Sequence, residues 1–75
     1  MIIYPNPTVN RFTIHLKTEV GTIESIEIYN AAGKWIQEVS AATNEVNIEQ
    51  QPAGIYICRV KTNKGDVLTG KIIKQ

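Results

Sequence analysis

Apolar and polar residues alternate with a period of two along most of this chain. "RFTIHLK" places Phe12, Ile14 and Leu16 on one face and Thr13, His15 and Lys17 on the other, the signature of a half-buried strand. "TIESIEIYN" sets Ile26 and Ile28 against Glu27 and Tyr29. "KWIQEV" is less regular, because Trp35 and Ile36 are neighbours and point to opposite faces. "EVNIE" pairs Val46 with Ile48, and "GIYICRVKT" puts Tyr56, Cys58 and Val60 on one face. "DVLTGKIIK" forms a last apolar strand, and Met1 to Tyr4 add a short one at a sheet edge.

The breaks between these runs carry turn chemistry. "NAAG" opens on Asn30 and closes on Gly33, and "TNKG" closes on Gly65. Each reads as a hairpin turn whose glycine takes a positive φ. "TEVGT" is a third turn, "SAATNE" a longer polar link, and "QQPAG" a stiffened approach to the most apolar strand. The best helix candidate, around "QEVSAATNE", has no apolar face. Six or seven short strands at turn spacings of about 8–12 residues predict an all-β sandwich or small barrel. Its core is expected from Phe12, Ile14, Leu16, Ile26, Ile28, Val46, Ile48, Tyr56, Cys58, Val60 and part of "LTGKII".

One stretch resists this pattern. In "YPNP", Pro5 and Pro7 each fix φ and lack a backbone donor. Each also pushes the residue before it, Tyr4 and Asn6, toward extended conformations. The stretch is therefore neither helix nor central strand. It suits a stiff hinge where a domain hangs from something larger.

Composition removes several function classes. The chain has 75 residues and one domain at most, 43% hydrophobic, with a formal net charge of +1. That charge gives no footprint for nucleic acid or an anionic membrane, and no apolar run approaches a membrane span. "MIIYPNP" has no basic n-region, and Pro5 cuts its apolar run short. A fragment of a larger protein is expected. A single cysteine forms no internal disulfide, and with one histidine it forms no Cys/His metal site. Cys58 reads as a small core hydrophobe.

No enzyme chemistry assembles. The seven acids are not spaced as a catalytic pair, and His15 should face solvent without identifiable partners. Ser25 and Ser40 lie in no nucleophile elbow. The glycines are dispersed, which excludes a phosphate loop, and neither cofactor nor metal is expected. Tyr29 and Trp35 straddle one hairpin and could form a small outer aromatic patch. Packing of Trp35 over the sheet edge or against "YPNP" is the preferred reading.

The order of these pieces resembles a known family. "YPNP", then "IEIYNAAGKWI", then "QPAGIYICRVKTNKG", then "GKIIKQ" is similar to the type A C-terminal sorting domain of cargo proteins of the Bacteroidetes type IX secretion system. The matching positions are Tyr4, Pro5, Asn6 and Pro7; Ile28, Tyr29, Asn30 and Gly33; Gly54, Tyr56 and Val60; and Lys71, Ile72, Ile73, Lys74 and Gln75. Two departures are Asn30, where the family often has Asp, and Gln51, where it usually has Leu.

The resemblance implies an Ig-like sandwich of about seven strands spanning residues 1–75. It implies a non-catalytic signal that directs an N-terminal passenger across the outer membrane. A sortase-like peptidase then removes the domain, and the passenger is attached to the surface or released. The implied location is the periplasm in transit, then the cell surface or the exterior. The expected partners are the secretion machinery, that peptidase and the passenger, with no nucleic acid and no membrane insertion. A folded surface needs no pocket. Lys71, Ile72, Ile73, Lys74 and Gln75 are expected to form an exposed edge read by strand addition. The competing readings are an Ig-like adhesion or carbohydrate-binding module, resting on Tyr29 and Trp35, and an enzyme accessory domain.

Overall fold

The computed structural model describes residues 1–40 and 44–75. The strands are β1 (Ile2–Tyr4), β2 (Arg11–His15), β3 (Ile23–Asn30), β4 (Trp35–Ser40), β5 (Glu45–Asn47), β6 (Gly54–Thr62) and β7 (Val67–Lys74). They form two sheets, β1-β2-β5 and β4-β3-β6-β7, with every strand pair antiparallel. The fold is an all-β sandwich. Residues 41–43 of the polar link, and with them part of the helix candidate, lie outside the described residues. "QEVS" within that candidate belongs to β4. "TEVGT" contains a single 3-10 turn, Thr18–Val20, closed by Gly21.

The core lies between the sheets and follows the alternation. Phe12, Ile14 and Val46 face it from the smaller sheet. Ile26, Ile28, Tyr56, Cys58, Val60 and Ile72 face it from the larger one, and Ile48 joins just after β5. Leu16, just past the end of β2, and Leu68, near the start of β7, are only half-buried and pack against this cluster.

The turns are built by side chains as well as by glycine. Asn30 Oδ1 accepts from the amides of Ala32 at 3.0 Å and Lys34 at 2.9 Å, and Gly33 takes φ 86°, where a Cβ is unfavourable. Asn30→Ala removes both bonds and should cost about 1–2 kcal/mol. Asn30→Asp keeps the acceptor and should stay within about 0.5 kcal/mol of the parent. Urea midpoints measured side by side test the pair. At the β6–β7 turn, Thr62 Oγ1 accepts from Lys64 and Asp66, which satisfies this fully buried hydroxyl.

Gly70 is a close approach rather than a turn. A Cβ there would collide with Ile3 Cδ1 and lie 3.0 Å from Met1 Cε. Residues of and before β1 thus cover the inner side of β7, and the two sheets meet at this edge.

Candidate recognition edge

β7 is an edge strand of the four-stranded sheet. Thr62 N–H donates to Asp66 O across its turn. Antiparallel strands alternate hydrogen-bonded and non-bonded pairs, so residues 68, 70, 72 and 74 turn their main chain toward β6. Residues 67, 69, 71, 73 and 75 turn theirs outward.

The outward groups of the last residues are already taken. Asn6 Nδ2 donates to Lys71 O at 2.9 Å, and Ile73 N–H donates to Asn6 Oδ1 at 3.0 Å. Thr8 N–H donates to Ile73 O and Gln75 N–H donates to Thr8 O, both at 2.8 Å. Thr8 forms a parallel bridge with Lys74. It is buried, and its hydroxyl donates to Arg11 O. Both prolines of "YPNP" follow cis peptide bonds.

Two expectations are corrected here. "YPNP" is a clip docked on β7 rather than a free hinge, because the Asn6 side chain donates to Lys71 O and accepts from Ile73 N–H between two prolines that have no N–H to give. The edge at Lys71 to Gln75 is largely covered rather than open. Its side chains also divide. Ile72 is 0% exposed and belongs to the core, whereas Ile73 is 39% exposed and Lys71 lies on the outer face. Lys74 is half-buried and Gln75 exposed. The clip was missed in the sequence because Asn6 and Thr8 do not alternate with anything. Its only signal was an amide side chain held between two prolines.

The other motif residues are structural. Tyr56 is buried and donates its hydroxyl to Pro52 O, which ties "QPAG" to β6. Val60 is buried. Gly54 pairs with Lys74 and Tyr56 with Ile72, so these residues set the register of β7. Tyr4 is exposed on β1.

Trp35 contradicts the packed reading. It is 51% exposed and stands opposite Tyr29 on the outer face. The register places Ile28 opposite Gln37 and Tyr29 opposite Trp35, so Ile36 is the extra residue of a bulge. The two rings do not form an open platform, however. The Arg59 guanidinium lies 6.0 Å over the Tyr29 ring, and Tyr29 donates its hydroxyl to Glu27 Oε2 at 2.9 Å.

Titrating groups are not assembled. Among the described residues no three His, Cys, Asp or Glu side chains come together. The ion pairs Arg11–Glu45 and Lys61–Glu24 are exposed and long, at 3.8 and 3.5 Å, and contribute little. Cys58 is fully buried. Burial pushes its thiol up from 9.0 to about 11, against opposing backbone hydrogen bonds from Gly70 and Cys58. Thiol reagents at neutral pH should therefore modify Cys58 only as the domain opens. The unfolded chain gives up this proton first. The stability that Cys58 contributes is full below pH 9.0 and falls as pH rises toward about 11. Melting temperatures across that window, with Cys58→Ala as reference, test the sign.

Comparison with known proteins bears on this arrangement. The profile of the family described as secretion system C-terminal sorting domain matches residues 2–75. An ulvan lyase of Nonlabens ulvanivorans is 32% identical over 74 residues, covering 95% of this chain and 14% of that protein. The chain thus spans about a seventh of the relative's length.

Proposed function

From membership of the secretion system C-terminal sorting domain family, to which this chain belongs, we propose how the signal is read. The domain is a sorting domain of the type IX secretion system. It is not a catalyst, and it marks cargo that is secreted across the outer membrane. In our reading the machinery engages the end of β7, through Lys71 and Ile73 on its outer face, the half-buried Lys74 at the rim and the exposed Gln75, while Ile72 anchors the strand from within. A sortase-like peptidase then separates the domain from an N-terminal passenger, which stays at the cell surface or is released.

The observation that carries this reading is the division of "KIIK". Consecutive isoleucines serve opposite layers, so an exposed apolar and cationic strip sits on a strand locked in place by the core. Deleting Lys71 to Gln75 is a poor test, because it also removes Ile72. Lys71→Glu, Ile73→Ser and Lys74→Glu combined leave every fully buried side chain in place. Behind a periplasm-directed fluorescent protein, in a host with the secretion system, this variant should remain in the periplasm. Export at the parent level, with an unchanged circular-dichroism spectrum, would sink the reading.

A further inference from the structure

The clip covers only part of the edge of β7. It occupies Lys71 O, both main-chain groups of Ile73 and the amide of Gln75. The outward N–H and C=O of Val67 and Thr69, and the N–H of Lys71, have no partner among the described residues. These five groups form a continuous row in one extended segment.

The protection of this edge is uneven. Natural edge strands are blunted by prolines, lysines, bulges or covering loops. Residues 71–75 have the clip and two lysines. Val67 to Gly70 have neither charge nor proline, their outward main chain has no partner among the described residues, and their pairing with β6 runs without a bulge. Val67 is 48% exposed. An unprotected row of this length, ending against a docked clip, fits strand addition of about three residues. Lys71 closes the row as a cation with no ion pair among the described residues, whereas Lys61, opposite Val67, is paired with Glu24, and Arg59, opposite Thr69, lies over Tyr29 on the far side of β6.

We propose that the open half of the β7 edge, the main chain of Val67, Thr69 and Lys71, is where an extended segment of the secretion machinery adds as a strand, an acidic side chain of it facing Lys71. The inference rests on the reading that β7 is the strand the machinery engages. It moves the main-chain contact away from residues 73–75, which the clip already serves, and leaves those residues to contribute side chains.

Proline separates main-chain from side-chain reading here. At Thr69 the amide points outward, so Thr69→Pro removes one docking donor and leaves the ladder to β6 unbroken. Thr69→Ala changes only the side chain. In the fluorescent fusion, Thr69→Ala should export as the parent does, and Thr69→Pro should lose most of its export while keeping its spectrum and melting transition. Normal export of folded Thr69→Pro overturns the proposal, and so does equal loss in both variants. If Thr69→Pro does not fold, Val67→Pro against Val67→Ala replaces the pair, with the same outcomes. Sedimentation of the purified parent fusion addresses the other occupant. A dimer abolished by Thr69→Pro would assign this edge to a second copy and overturn the proposal. The triple side-chain variant runs in parallel. If it stays in the periplasm while Thr69→Pro is exported, only this inference fails; if the pattern reverses, main-chain docking at this edge stands, and the side-chain reading fails together with the acidic contact to Lys71.

Discussion

Ile72→Ala should destabilise the domain by about 2–5 kcal/mol, and Ile73→Ala by less than about 1 kcal/mol. The side chains are identical and adjacent, so the difference isolates what the strand does with them. Ile72 is completely buried opposite Tyr56, and truncation leaves a cavity between the sheets. Ile73 lies on the outer face opposite Ile55, which is also exposed. Small domains have a total stability of only about 5–15 kcal/mol, so Ile72→Ala alone could consume much of it. Urea unfolding of both variants reads the contrast directly. Export should be lost with Ile72→Ala through unfolding. Any loss with Ile73→Ala should occur in a folded domain.

Asn6→Ala should release the clip. It removes the acceptor for Ile73 N–H and the donor to Lys71 O, at about 1–2 kcal/mol for two exposed bonds. The local signature is more specific than the global one. Hydrogen exchange at the Ile73 amide should rise roughly tenfold or more. The amides of Ile72 and Lys74, turned toward β6, should keep their protection. The Gln75 amide, held by Thr8 O, should change less than that of Ile73. Equal acceleration at all four positions would mean that Asn6 supports the whole sheet rather than clipping one edge.

The strands and the core were legible because period-two patterning is a local property. Phe12, Ile14, Ile26, Ile28, Tyr56, Cys58 and Val60 could be assigned to the interior from their neighbours alone, and they are buried. The Asn30 and Gly33 turn was legible for the same reason. The clip was not, because it joins residues 65 and 67 positions apart in the chain, and nothing near Asn6 reveals a partner. The exposure of Trp35 is not legible from the alternation, because a bulge in β4 resets which neighbours share a face. The recognition strip was half legible. "KIIK" announces an apolar strand, but only its register with β6 decides which isoleucine turns inward.

Family membership was readable from the order of short motifs, and their roles now separate. Tyr56, Val60 and Gly54 set the position of β7, Asn30 and Gly33 close a hairpin, and Asn6 covers one edge. A signal built this way is a shape held in register.

The central claim is that this folded chain is a sufficient sorting signal. The direct measurement fuses residues 1–75 behind a periplasm-directed fluorescent protein and compares a host that has the type IX secretion system with one that lacks it. The account predicts fluorescence at the cell surface or in the medium of the competent host only. Fluorescence held in the periplasm of both hosts, with the fused domain folded, would contradict it.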